Sequence, residues 1–406
     1  MKKTKVAYLV SHPIQYQAPL LANIAKQSTI ELKVFFCSNI SVAQYFDKGF
    51  GRAIKWDTPL LEGYEYEFLP VLIGGSEISF ARPLNYRIAW KLFTGHFDVL
   101  WIHGYNRLIN WWAIIVAKII GMKVLVRDEA WELDKSIPII RRLSKRMFFR
   151  VLEHLCDGFL SIGTLNREYY RAYGVPDRKI FSMPYAVDNA FFQGKCHETH
   201  SNREMLRASL GMEQGRSIIL FVGKLEEKKR PQDLLEAYGA LSLDGIVEPN
   251  PYLIYVGDGT LADDLEKAAG ERGWKSIRFL GFKNQRELPQ YYDLCDVFVL
   301  PSAWAETWGL VVNEAMCAGK AIITSDHIGC HADLVKPGIN GELFPAGDVN
   351  ALAEKLRKLM VDPVLLKNMG HNSLDIIRNW SFNEDIKGLK EALSSVTAKI
   401  NGDIIR

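Results

Sequence analysis

Short apolar runs alternate along this chain with apolar residues spaced three to four apart, and the alternation occurs in two series. Apolar runs bounded by polar or glycine turns read as buried strands of a parallel sheet; the longer-period segments read as the helices that cross between them. In the first series strands are expected over 6–10, 31–37, 64–70, 98–103, 123–127, 158–162 and 180–184. Helices are expected from the turn at 12–19 to about 26, then over 85–93, 108–120 and 139–155. The second series places strands at 217–222, 252–256, 277–280, 297–300 and 321–324. Its helices fall at 233–241, 261–272, 287–293, 310–318, 350–360 and 363–371, with a last helix over 383–400. Residues 38–63 are polar, aromatic and irregular, and read as a long loop over the rim of the first sheet. Gly74-Gly75-Ser76 breaks the chain again, and the poorly periodic stretch 185–217 marks a domain boundary. The pattern predicts an α/β protein with domains at 1–190 and 191–382.

Composition narrows this reading. The 406 residues suit two domains of roughly 150–200 residues each. Hydrophobic residues at 48% and charged residues at 24% supply a core for both. A net charge of +3 is too small to point to a nucleic-acid partner. The six cysteines are scattered without a C-x-x-C pair, which favours reduced thiols in a cytoplasmic protein over a disulfide or zinc framework. Met1-Lys2-Lys3-Thr4-Lys5 looks like the start of a signal peptide, but the apolar run 6–10 stops at Ser11-His12-Pro13. The longest apolar segment, 111–122, is broken by Lys118 and falls short of the ~20 residues of a membrane span. No D-x-D motif and no His/Cys cluster with ligand spacing is present, so neither a metal nor another cofactor is expected.

The densest chemistry lies at 301–319, between two expected strands. Glu306 and Glu314 are eight residues apart. On one continuous helix they would be separated by about 12 Å and rotated by roughly 80°, so they would not meet one small ligand together. Thr307 and Gly309 suggest that the helix starts after Glu306. Glu314 then sits on a helix that is apolar on nearly every side, from Leu310 to Ala318. A buried carboxylate needs partners. The hydroxyls of a ribose would serve, and so would a buried Arg or Lys.

Glu306-x7-Glu314, in a setting of Pro-Ser…Glu-x-x-Gly-Leu…Glu-Ala-Met…Gly-x-x-x-Ile, closely resembles the signature of the family 4 retaining glycosyltransferases, also described as glycosyl transferases group 1. The resemblance implies the GT-B architecture: two Rossmann-like domains facing across a cleft, with a C-terminal helix, 383–406, crossing back to the first. It implies that Glu306 contacts the donor sugar, Glu314 holds the ribose, and the backbone at Gly309-Leu310 meets the diphosphate. Upstream, Gly223 is followed by four cations in seven residues, which suit a departing diphosphate; most such runs are solvated loops, but this one falls in register with the family motif. The family pattern Gly-Arg-Leu-x-x-x-Lys falls on Gly223 to Lys229. It assigns the phosphate cations to Lys224 and Lys229, with lysine at 224 giving up the bidentate fork of arginine. By the same resemblance, the turn at Gly257 lies near the nucleotide, and Phe282 ends the strand that holds the base.

In the first domain His103 ends an expected strand and reads as a structural histidine or as a group facing the donor sugar; the resemblance favours the second. Arg127-Asp128-Glu129 ends the next strand and reads evenly as cleft lining or as a surface salt bridge. His12, Gln15 and Tyr16 form a proline-fixed turn where many family members carry Gly-Gly, and with Arg127 they are the candidate acceptor-binding residues. Two further departures are Tyr185-Ala186-Val187-Asp188 for the usual Asn-Gly-Val-Asp, and His327-Ile328-Gly329-Cys330 for the usual Gly-Gly region. The helix expected at 139–155 is amphipathic. Ile140, Leu143, Met147, Val151 and Leu155 run along it, with Arg141, Arg142, Lys145, Arg146 and Arg150 opposite. That basic side is either a solvated face or a peripheral contact with the cytoplasmic face of an anionic inner membrane.

The resemblance implies a metal-independent retaining transferase. It moves a hexose-type sugar from a nucleotide-sugar co-substrate to a saccharide or polyprenyl-linked saccharide, in surface polysaccharide or lipopolysaccharide assembly. A soluble acceptor, a sugar-nucleotide-binding protein without transfer activity and a sugar-nucleotide epimerase are the alternatives.

Overall fold

Every strand of the two large sheets pairs in parallel with its neighbours, as fully buried apolar runs require. The structure, a computed structural model, describes residues 3–72, 79–131, 138–243, 249–304 and 306–402. The expected break at Gly74-Gly75-Ser76 lies outside the described residues. In chain order the strands are β1 (Thr4–Val10), β2 (Ile30–Phe36), β3 (Tyr45–Asp47), β4 (Arg52–Ile54), β5 (Glu65–Phe68), β6 (Val99–His103), β7 (Lys123–Arg127), β8 (Gly158–Ser161) and β9 (Ile180–Ser182). They continue with β10 (Ile218–Val222), β11 (Tyr252–Val256), β12 (Ile277–Phe279), β13 (Val297–Leu300), β14 (Ala321–Ser325) and β15 (Gly341–Phe344).

The chain divides into two units. Unit 1 comprises 1–45, 58–185 and 382–406; unit 2 comprises 46–57 and 186–381. The first carries a seven-stranded sheet in the order β5-β2-β1-β6-β7-β8-β9, the second a six-stranded sheet in the order β12-β11-β10-β13-β14-β15. In unit 1 the strand order reverses between β1 and β6, and in unit 2 between β10 and β13. Loops leaving such a pair diverge and leave open ground at the carboxyl ends, where α/β sheets bind ligands.

Three features differ from the sequence reading. Residues 38–63 are not a plain loop: they contain the two-stranded sheet β3-β4, and 46–57 pack in unit 2 rather than over the first sheet. The stretch read as poorly periodic holds two helices, Asn189–His200 and Arg203–Ser209. The first of these is capped by Asp188, whose side chain accepts from Phe191 N at 3.0 Å. Helix Ile139–Leu155 buries Phe149 and Leu152, while Ile140 and Met147 of the expected apolar stripe stand 76% and 60% exposed.

Arg127 corrects an acceptor-binding assignment. Its side chain is enclosed in unit 1. There Nη2 donates to Asp385 Oδ2 at 2.8 Å and to Met183 O at 2.9 Å, and the guanidinium lies 4.6 Å from the Tyr185 ring. Asp385 sits on the last helix, Phe382–Gly402, which packs on β7, β8 and β9. Burial pushes the Asp385 carboxyl up to about 6 although Arg127 opposes it. The guanidinium is committed to holding this helix and presents nothing to a substrate. Replacing Arg127 by Met leaves a carboxylate buried without its cation, and is expected to cost unit 1 roughly 3–5 kcal/mol in thermal unfolding. The double variant Arg127→Met/Asp385→Leu is expected to recover most of that loss.

Candidate functional site

In unit 2 the loop after β13 meets the loop after β10. Lys229 donates to Glu306, which also accepts from Ser302 Oγ at 3.3 Å, and Ala303 N donates to Lys228 O at 3.0 Å. The Glu306 loop is held from its other side as well. Glu306 bridges Ile328, Glu306 O accepts from Gly329 N at 3.1 Å, and Trp308 O accepts from Cys330 N at 3.1 Å. The unusual His327-Ile328-Gly329-Cys330 segment is therefore a backbone brace for the Glu306 loop. Gly309 then turns the chain into helix Leu310–Cys317 with φ +89°, a conformation that side chains other than glycine's resist. The first N–H groups of that helix open beside Glu306, a place suited to an anion.

The strand ends on the other side of β10 are laced together. Gly257 N donates to Gly281 O at 2.9 Å, and a Cβ at Gly257 would lie 1.8 Å from Gly223 O. Glycine at 257 is thus required by loop-to-loop packing. Lys224 follows Gly223 and pairs with Asp47 at 2.8 Å. Phe282 follows β12, with the Phe50 ring edge-on at 4.9 Å.

Glu314 is buried on helix Leu310–Cys317. Its partners are neutral: Gln285 Nε2 donates to Oε1 at 3.0 Å and the Tyr292 hydroxyl to Oε2 at 2.6 Å. Burial raises its carboxyl to about 7 against those two hydrogen bonds. Neither Gln285 nor Tyr292 stood out in the sequence. Tyr292 sits in a helix, Leu288–Leu294, that is buried almost throughout, and a hydroxyl within so apolar a run is the one signal that could have found it.

In unit 1 the loops at the β1/β6 divergence gather a polar cluster. His103 Nε2 lies 3.4 Å from Glu129 Oε1, and Gln17 Nε2 lies 3.4 Å from His103 Nε2. Tyr8 donates to Gln17 Oε1 at 3.0 Å, while Tyr16 at 3.4 Å and Tyr185 both donate to Glu129. Tyr8 was missed inside an expected strand and Gln17 inside the turn at 12–19, and Tyr185 was noted only as a departure at the domain boundary. His12 Nδ1 is 2.9 Å from Ser11 Oγ. Burial first, then the charges of Arg107 and His103, lower its ring to about 4. Gln15 is half-buried on the same turn. The structure brings together His103 and Tyr16 through Glu129, and leaves Arg127 out.

Among the described residues no group of three or more His, Cys, Asp or Glu is placed to hold a metal ion, and no helix is long and apolar enough to cross a membrane.

Residues 202–375 match the family described as Glycosyl transferases group 1. An alpha-D-kanosaminyltransferase of Streptomyces kanamyceticus is 28% identical over 207 residues, 51% of this chain and 51% of that protein. The amylovoran biosynthesis glycosyltransferase AmsK of Erwinia amylovora is 34% identical over 147 residues, 35% of each chain. The chain thus spans about half or less of these relatives' length. Among solved structures, Anabaena Alr3699/HepE in complex with UDP superposes with a TM-score of 0.72 at 18% identity, covering 97% of this chain and 100% of that one. Its complex with UDP-glucose gives 0.69, covering 96% and 99%. The likeness shows a shared fold, the two Rossmann-like domains of GT-B glycosyltransferases.

A carboxyl raised by burial makes a signed prediction. Between the ordinary Glu value of about 4.3 and the folded value of about 7, the folded chain keeps a proton that the unfolded chain has released. Stability therefore falls as pH rises through that window, and the cost of ionising Glu314 is complete above it. Glu314→Gln is expected to gain stability over wild type at pH 8, by up to roughly 4 kcal/mol, and to gain little at pH 4.5. Thermal melts at the two pH values check this; an identical difference at both contradicts the buried acid.

Proposed function

We propose that this chain, whose residues 202–375 form a domain of the glycosyl transferases group 1 family, is a retaining glycosyltransferase. It moves a hexose-type sugar from a nucleoside diphosphate to a saccharide acceptor. The observation that carries this reading is the placement of Lys229, Glu306 and the Gly309 helix start at the β10/β13 divergence. A cation and a helix N-terminus beside a carboxylate match the diphosphate and the sugar of a sugar nucleotide's reacting end. Lys224, Lys229 and the helix N–H groups take the diphosphate oxygens and offset their charge as it leaves. Glu306 orients a sugar hydroxyl. Glu314 grips the ribose: its two neutral donors leave lone pairs for two more hydroxyls.

The bond from C1 to the phosphate oxygen breaks, the bond from C1 to the acceptor oxygen forms on the same face, and the acceptor proton passes to a phosphate oxygen. His12, held neutral at about 4, is a poor base and leaves that proton to the phosphate. His12, Gln15, Tyr16, His103 and Glu129 serve the acceptor's hydroxyls. The UDP and UDP-glucose bound by Alr3699/HepE support a nucleotide-sugar donor.

The acceptor is a lipid-linked saccharide of surface polysaccharide assembly, met at the cytoplasmic face of a membrane. Helix Ile139–Leu155 supports this by exposing Ile140 and Met147 beside Arg141, Arg146 and Arg150. Ile119 on the helix packed next to it is 78% exposed, and Trp90 on the helix beyond is 65% exposed. Exposed apolar side chains among cations suit an anionic lipid surface.

A thermal-shift screen of UDP-, GDP- and ADP-sugars identifies the donor. With that donor, Glu306→Gln is expected to lose roughly 10²-fold or more in transfer rate while keeping its melting temperature. Turnover at the wild-type rate would sink the assignment, and donor binding without turnover on any acceptor favours a binding protein. On vesicles with anionic phospholipid, Ile140→Glu/Met147→Glu is expected to lose the binding that wild type shows; equal binding contradicts the membrane contact.

A further inference from the structure

Residues 46–57 lie early in the chain yet pack in unit 2, and their contacts fall on three consecutive strand ends. After β10, Asp47 Oδ1 accepts from Lys224 Nζ at 2.8 Å, and the segment passes so close that a Cβ at Gly49 would lie 2.6 Å from that Nζ. After β11, Arg52 Nη1 reaches Asp258 Oδ2 at 3.3 Å. After β12, Phe50 and Trp56 pack on Phe282 at 4.9 and 6.1 Å. Asn284 Nδ2 donates to Lys55 O at 2.6 Å, and Arg286 N donates to Asp57 Oδ2 at 3.0 Å. Gln285, between those two, holds Glu314. The segment is thus tied to the loops that carry the donor contacts.

Asp47 is the member of this set with a conflict to resolve. Burial pushes its carboxyl up, but Lys224 and the backbone N–H groups of Phe50 and Gly49 outweigh that and hold it below the usual range. It is a carboxylate at neutral pH. A diphosphate on Lys224 brings negative charge to the place the carboxylate occupies, and two anions on one ammonium repel. The ion pair is partly exposed, with side chains 31% and 15% accessible, so it is weak enough to exchange. A diphosphate brings more acceptor oxygens and more charge than one carboxylate.

We propose that residues 46–57 are a donor-responsive strap: Asp47 holds Lys224 until a diphosphate takes the lysine, and losing that anchor loosens the segment over Phe282. The proposal rests on the reading of unit 2 as the donor site. It assigns the trigger to the diphosphate, so a nucleoside alone leaves the strap in place.

The test uses the full chain with UDP, GDP and ADP and their parent nucleosides. Asp47→Asn is expected to bind the accepted diphosphate about two- to fivefold tighter than wild type, with nucleoside binding unchanged. In wild type, amides of 46–57 are expected to exchange faster with the diphosphate than with the nucleoside or no ligand. Equal or weaker diphosphate binding by Asp47→Asn overturns the strap, as does unchanged or slower exchange. If Asp47→Asn does not fold, wild-type exchange decides alone. Wild type that binds none of the diphosphates overturns the donor-site reading and the strap with it; binding that leaves the strap unmoved overturns the strap alone.

Discussion

A parallel sheet returns the chain to the same edge after every crossover, so the loops that follow its strands collect along one edge. Where the strand order reverses, two of those loops diverge. Both units obey this constraint, and the candidate chemistry follows from it. His12 and His103 leave β1 and β6, the pair at which the first sheet reverses. Lys224 and Glu306 leave β10 and β13, the corresponding pair in the second. No local preference of these four residues would assemble them. The topology of the sheets does so.

Two buried charges in this chain show how partners distinguish architecture from chemistry. Arg127 and Asp385 offset each other's charge, and the pair holds a helix to a sheet. Glu314 has a tyrosine hydroxyl and a glutamine amide, which neutralise nothing and leave part of the carboxylate's capacity unused. The same cost of burial is met in the first case by a full countercharge and in the second only partly. An incompletely compensated group inside a fold is where a ligand contributes most.

The second sheet was legible because its central strands, such as Ile218–Val222, are apolar at every position and end in glycine. Glu314 was legible as a buried acid because its helix offers no polar face. Its partners were not, since Gln285 and Tyr292 come from a different crossover and only tertiary packing brings them near. Arg127 was misread for a related reason: a polar residue at a strand's carboxyl end looks the same whether it faces a ligand or an acid 258 residues away. The packing of 46–57 left least trace. Its partners lie as far along the chain as Phe282 is from Phe50, 232 residues, and its aromatic residues fit an irregular rim as well as a hairpin.

The chain passes between its two units after residues 45, 57, 185 and 381, so neither is a continuous piece of sequence. On a ribosome this sets an order of events. The sheet of unit 1 is synthesised long before the helix that carries Asp385. At about 5–20 residues per second, Arg127 waits on the order of tens of seconds for its carboxylate. Residues 46–57 likewise emerge before any strand of the sheet they join. Unit 1 cannot finish folding before helix Phe382–Gly402 is made, so its sheet exposes apolar surface until that helix arrives, and a chaperone that holds unfinished sheets is the cellular counterpart of this interleaving.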